Sequence, residues 1–211
     1  MLHKGDYLYR IGKQFEGLYA VYSGFFKKFS VTENGTEQVA GIYFPGEILG
    51  LHAIYSGAHP FNVVALNTGL ACFIPYADYQ KLVVHYPKLD HHMYRLLSLE
   101  LMKARFLAAE MSALEKVATL LLTMSHRFAE RGYAPQEFLL PMPNSDIASM
   151  LRLAAETVSR IFTKLEAANI AAIRHRHVRI LDMKKLIQTC PQDLDLVDDR
   201  PFWRPVTSQH P

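Results

Sequence analysis

This 211-residue chain has only two cysteines, one tryptophan and no apolar run long enough to cross a bilayer, and each scarcity excludes something. Cys72 and Cys190 are far apart in a chain of this size, so a disulfide framework is not expected and a reducing cytosol suits them. A transmembrane helix needs roughly 20 consecutive apolar residues. None is present, and the N-terminus lacks a signal peptide's charged and apolar regions in sequence. A cytoplasmic protein with no membrane partner is therefore expected. No Ser/His/Asp constellation and no phosphate-cradling glycine loop stands out. The only His-x-His is His175-Arg-His177, far from the segments that read as a barrel, where a metal enzyme would need such a pair beside a carboxylate and a further His. The chain does not read as an enzyme.

What is present suits a soluble globular protein of one to two domains, with 50% hydrophobic and 20% charged residues. The net charge of +3 is small, but its distribution is uneven. Ser145 to Lys185 holds eight Lys/Arg against four Asp/Glu, whereas Pro191 to Pro211 holds four Asp against two Arg. Positive charge gathers in one segment near the C-terminus, as phosphate binding requires.

The chain divides into regions of different period. Residues 1 to 88 read as β structure, with glycines punctuating short apolar runs such as Leu18–Tyr22, Val39–Phe44 and Phe61–Leu66. Many short strands of this kind suggest a jelly roll or barrel, and Glu33-Asn34-Gly35 is a hairpin signal between two of them. A long helix is expected over 89–114. In it Tyr94, Leu97, Leu101, Ala104, Ala108 and Met111 repeat at 3-4-3-4-3 spacing, the seam of a coiled coil. Leu96, Leu107 and Leu114 widen the apolar face for packing on the roll. A further helix is expected from Ala113 to Arg131, stopped by Gly132. The tail over 191–211 reads as loosely ordered. The fold class expected is α+β: an N-terminal β-roll (a jelly roll or double-stranded β-helix), a long helix over 89–114 whose seam suits either a second copy or packing within the chain, and a C-terminal region over 115–190 that reads as a winged helix-turn-helix.

The most informative segment is Asp146 to Leu165. Ile147, Ala148 and Leu151 fall on one face of a short helix capped by Asn144 or Ser145, and Leu153 sits in a turn. Val158, Ile161, Phe162 and Leu165 form the buried stripe of a second helix at i, i+3, i+4, i+7 spacing. That stripe leaves Glu156, Ser159, Arg160 and Lys164 outward, the arrangement of a recognition helix in a major groove. Arg160 can donate a bidentate pair to guanine O6 and N7, Glu156 can accept from a cytosine amino group, and Ser159 permits close approach or touches a thymine methyl. Thr157 and Lys164 suit phosphate contact. Asn169 is expected in a left-handed cap, and Ile170 to Leu181 reads as a hairpin wing. On it Arg174, Arg176 and His177 suit phosphate contact, with His175 and Arg179 beside them.

With these residues in view, the chain resembles the CRP/FNR family of bacterial transcription regulators, named for the cyclic-AMP receptor protein and the fumarate–nitrate reduction regulator. Glu156-Thr-Val-Ser-Arg160 matches the fumarate–nitrate branch. Gly5 to Gly12, Ser23-Gly24 and Phe44-Pro45-Gly46-Glu47 match the family's ligand-sensing roll. The resemblance implies a homodimer reading an inverted repeat like TTGAT-N4-ATCAA, and contact of the Gly46–Gly57 loop with RNA polymerase. Relatives regulated at dimerisation carry a charge in the seam; here position 104 is Ala, so a dimer that forms without a signal is expected. Two departures stand out. Ala155 replaces the Arg of the cyclic-AMP branch, and Arg152 occupies the turn where most relatives have Gly. A left-handed Arg there costs on the order of 1 kcal/mol relative to Gly.

For the sensor, His59-Pro-Phe-Asn-Val63 offers no cation for a cyclic phosphate, so cyclic AMP is not expected. The fumarate–nitrate branch uses three cysteines of an N-terminal extension plus one in the roll. Cys72 matches the last position, the extension is absent, and one cysteine cannot hold the cluster. Cys72 is instead expected as a buried core thiol. No cofactor is expected. The alternative is a haem- or thiol-dependent redox or gas sensor, with His3, His52, His59, His85, His91 and His92 as possible haem ligands and Cys190 as the thiol.

Overall fold

The computed structural model describes residues 1–108 and 110–191, without the side chains of 99 and 102–108. The 191–211 tail lies outside the described residues apart from Pro191. The chain forms two compact units, Met1–Leu97 and Ser98 onward.

The first unit is built from β1 (Tyr7–Tyr9), β2 (Gly17–Ser23), β3 (Phe26–Val31), β4 (Glu37–Tyr43), β5 (Ile48–Leu49), α1 (Ala53–Ser56), β6 (Asn62–Ala65), β7 (Leu70–Pro75), α2 (Tyr76–His85) and the start of α3 (Pro87–Ala108). Its strands form two antiparallel sheets, ordered β1-β6-β3-β4 and β5-β2-β7. Alternation along the strands explains how they close on one another. Tyr9, Phe26, Tyr43 and Val63 from the first sheet and Tyr19, Val21 and Leu49 from the second share one buried cluster. The alternate residues of β2 and β7, Leu18 and Ile74, face the other way, where Tyr79 of α2 and Met93, Leu96 and Leu97 of α3 cover them. This is the expected roll. The hairpin at Glu33-Asn34-Gly35 is there too, with Gly35 at φ 77° and its N–H donating to the Thr32 carbonyl at 2.9 Å.

Close packing decides one glycine position. Gly24 has φ 77°, and a Cβ there would lie 2.6 Å from the Cα of Gly69. Only a residue with neither the steric penalty nor the atom fits. Two lysines of β3 are unexpectedly buried. Lys27 pairs with Glu37 at 2.6 Å, and the Lys28 ammonium lies 2.9 Å from His52 Nε2. His59 is 2% exposed and stacked on Tyr9 at 3.8 Å. Burial lowers its pKa, with Lys13 adding to the effect, so the ring is held neutral.

Three expectations need correction. The β region ends at Pro75, because Tyr76–His85 is helical with Tyr79 buried. The long helix ends at Ala108, and Met111 is not helical. The cause is Ser112, whose hydroxyl accepts from the Glu115 N–H at 3.2 Å while the Glu115 carboxylate accepts from the Ser112 N–H at 2.8 Å. This capping box starts α4 (Ala113–Ala129) and removes Met111 from the seam. Leu97 is shared, half-buried against the roll cluster. Tyr94 and Leu101 are 63% and 72% exposed, and the side chains of Ala104 and Ala108 lie outside the described residues. Finally, Cys72 is exposed. It sits on β7, an edge strand exposed at Leu70, Cys72 and Phe73, so alternation brings it no cover.

Candidate nucleic-acid interface

The second unit centres on α4, whose Val117, Leu121 and Met124 are fully or almost fully buried. Around it lie β8 (Glu137–Leu139), α5 (Asn144–Leu151), α6 (Ala155–Ala167), β9 (Ala171–Arg174), β10 (His177–Ile180) and α7 (Met183–Thr189). β8, β10 and β9 form one antiparallel sheet in that order.

α5 buries Ile147, Ala148 and Leu151, the face its spacing calls for. It starts one residue earlier than expected. Pro143, extended at ψ 168°, is the cap, and its carbonyl accepts from the N–H of Asp146 and of Ile147, both at 3.1 Å. Asn144 and Ser145 are inside the helix. α5 ends at Arg152, which is left-handed at φ 55° and ψ 50°. The Arg152 N–H donates to Ser149 O at 3.3 Å and the Leu153 N–H to Ala148 O at 2.9 Å, closing the last turn.

α6 then buries Val158, Ile161, Phe162 and Leu165. Each contributes roughly 1.5–3 kcal/mol of burial. That outweighs the cost of about 1 kcal/mol for a left-handed Arg152, so the stripe sets the helix register and the turn accommodates it. On the opposite face Glu156, Ser159, Arg160 and Lys164 are exposed, while Thr157 is half-buried. Arg160 Nη2 lies 3.8 Å from Glu156 Oε2, one turn apart. The pair is loose enough for each group to meet a partner outside the protein. The Ser159 hydroxyl donates to its own helix at Ala155 O, 3.2 Å. The N-cap, Ala154, supplies no side-chain acceptor to the first-turn N–H groups.

Asn169 closes α6 at φ 55°. Its N–H donates to Glu166 O at 3.0 Å and that of Ile170 to Leu165 O at 2.9 Å, the two bonds of a Schellman cap. The wing follows as β9 and β10, with Arg174 opposite His177. Its two-residue turn, His175-Arg176, has φ 49° and 69°. Two positive values are what a type I′ hairpin requires, usually from Asn-Gly. The tip is braced from β8's side by Leu140, whose N–H donates to Arg176 O at 2.9 Å.

The wing's charges are not equally free. Arg174 Nη2 donates to Glu166 Oε1 at 2.7 Å, and His177 Nε2 lies 3.2 Å from Glu137 Oε1. Glu166 holds the Arg174 guanidinium's pKa above its ordinary value. These residues, with Asn169, Ala172, Arg179 and Leu181, line an open cavity of about 440 Å³ on the exposed face of the sheet. Arg176 and Arg179 are exposed and enter no ion pair among the described residues. Glu166, Glu137 and β8 escape a reading of spacing alone, since nothing local links them to the wing.

Cys190 is 4% exposed, its thiol donates to Leu186 O at 3.4 Å, and burial pushes its pKa up. Burial of this kind disfavours the reactive thiolate, which counts against the alternative of a switch at Cys190. Among the described residues no three His, Cys, Asp or Glu gather as a metal site, and no helix is long and apolar enough to cross a membrane.

A helix with Glu156, Ser159 and Arg160 outward, followed by a cationic hairpin braced against it, is the geometry of a winged helix-turn-helix, joined in sequence to a β-roll. Comparison with known proteins agrees. Residues 1–86 match the cyclic nucleotide-binding domain, and 115–189 match the Crp-like helix-turn-helix domain. The transcriptional activator protein Anr of Pseudomonas protegens is 36% identical over 192 residues, covering 90% of this chain and 78% of the relative. The fumarate and nitrate reduction regulatory protein of Escherichia coli K12 is 34% identical over 190 residues, covering 89% and 76%. The structure of FixK2 from Bradyrhizobium japonicum shares the fold, with a TM-score of 0.80 at 22% identity over 90% of this chain and 95% of that one. The chain belongs to the CRP/FNR family of DNA-binding transcription regulators.

Proposed function

We propose that this regulator acts as a homodimer on an inverted repeat of the TTGAT-N4-ATCAA type, with Glu156, Ser159 and Arg160 reading the half-site. The observation that carries the proposal is the exposed Glu156–Arg160 pair on the free face of α6. Arg160 provides the bidentate donor for guanine, the commonest specific base contact. Lys164 and the wing cations would hold the phosphate backbone. Exposure of Tyr94 and Leu101 on one stretch of α3 supports pairing with a second copy. The named activators among its relatives favour an activating role, with the exposed Tyr55 of the Gly46–Gly57 loop available to RNA polymerase in the cytoplasm.

On this reading the regulator works without cyclic AMP, and Cys72 and Cys190 by themselves do not hold an iron–sulfur cluster. Where a cyclic phosphate would need a cation, His59 is stacked on Tyr9, and the Asn62 Oδ1 accepts from the Ile11 N–H at 3.0 Å. Both residues brace the roll. Cys72 and Cys190 are two thiols where such a cluster needs four.

The test is fluorescence anisotropy of the aerobically purified, ligand-free protein on this repeat against a scrambled duplex. Selective binding is expected, and Arg160→Ala should cost about 1–3 kcal/mol per half-site on the repeat while leaving binding to the scrambled duplex nearly unchanged. Equal affinity for both duplexes would refute the half-site assignment. An absorbance band near the haem Soret region in the same sample would establish haem in place of the cofactor-free reading.

A further inference from the structure

Arg152 sits in the turn between α5 and α6 in a left-handed conformation, φ 55° and ψ 50°, where glycine would carry no steric cost. Among the described residues no hydrogen bond, ion pair or ring contact of its side chain explains the arginine. Its N–H closes the end of α5 on Ser149 O, which glycine would do equally well. The side chain is exposed, and among the described residues it enters no ion pair.

Its position is informative. Arg152 stands two residues before Ala154, the N-cap of α6, and so at the end of α6 that presents Glu156, Ser159 and Arg160. Residues held in sparsely populated backbone regions cluster at ligand clamps and other functional sites. A guanidinium is the side chain best matched to the oxygens of a phosphate, which it can meet with two parallel N–H bonds.

We propose that Arg152 is an additional DNA-backbone contact, its guanidinium taking a phosphate beside the half-site read by α6. The inference rests on the DNA-binding reading above. It also predicts a particular behaviour: a phosphate contact positions the protein without conveying sequence, so it adds affinity and salt dependence but no base preference.

The experiment uses the full chain and a KCl series on the TTGAT-N4-ATCAA duplex and the scrambled one. Three variants separate charge from strain. Arg152→Gly removes both. Its Tm should rise by about 2–4 °C, while binding to both duplexes weakens by a similar factor. The slope of log K against log[KCl] should become shallower by about 0.9 per protomer. Arg152→Ala keeps the strain and loses the charge, so it should show the same shallower slope with no gain in Tm. Arg152→Lys should keep the slope. Unchanged slopes in the Gly and Ala variants, with half-site preference intact in the parent, would overturn the inference. Loss of half-site preference with an unchanged slope would also overturn it, by making Arg152 a base contact. If the unaltered protein does not distinguish the duplexes, the half-site reading has failed; the inference then stands or falls on the slopes alone.

Discussion

The two units solve the same local problem in different ways. In the roll every left-handed position among the described residues is a glycine: Gly5, Gly12, Gly24, Gly35, Gly46, Gly50 and Gly57. In the DNA-binding unit only Gly132 is, and Arg152, Asn169, His175 and Arg176 fill the other such positions. A side chain in that conformation costs on the order of 1 kcal/mol, least for Asn. The roll's turns only have to close, so glycine carries no loss there. The second unit places arginine at two of its four non-glycine positions and histidine at a third, all on the turn and wing that flank α6. On the proposed reading, the difference teaches that local strain in the second unit gathers beside the helix that would read DNA.

The largest expected effect lies in the roll. Gly24→Ala combines positive φ with a methyl group 2.6 Å from Gly69 Cα. It should destabilise the protein by more than about 2 kcal/mol, read from urea unfolding. A neutral result would show that the roll tolerates side chains in its turns and would remove the contrast. A smaller effect is expected at the wing. Glu166→Gln releases Arg174 from its 2.7 Å partner, so affinity for both duplexes should rise several-fold and become more salt-dependent. Unchanged titrations would mean that Arg174 faces away from DNA. The smallest effect sharpens the comparison. Asn169 is left-handed because it caps α6, with no role at the interface. Asn169→Gly should therefore gain up to about 1 kcal/mol of stability in thermal melts and leave DNA affinity unchanged. A loss of affinity there would make Asn169 a contact like the arginines.

Much of the interface is legible in the sequence because it depends on short-range periodicity. The stripe Val158, Ile161, Phe162, Leu165 is buried as its spacing demands, which fixes the outward set. The left-handed Asn169 and Arg152 follow from where the two helices must stop. The failures have a common cause in relations that spacing does not encode. The heptad rhythm runs on through Met111 and conceals the Ser112-x-x-Glu115 box, whose two hydrogen bonds win locally over apolar repeat. Alternation along Leu70–Ile74 cannot tell an edge strand from a central one, and so does not show that Cys72 is exposed. The carboxylates that hold Arg174 and His177 come from α6 and β8, brought there only by the tertiary fold.

The bond from Leu140 N–H to the Arg176 carbonyl, with the Glu166–Arg174 pair, makes the wing a fixed gauge set against α6. On the proposed reading, α6 and the wing would then present DNA with two teeth at a set separation. A duplex that does not match this span must bend or change groove width to engage both. That work is done by the nucleic acid, and its amount depends on the stiffness of base steps the protein never touches. Operators of equal half-site sequence would then be ranked by the pliancy of their flanks.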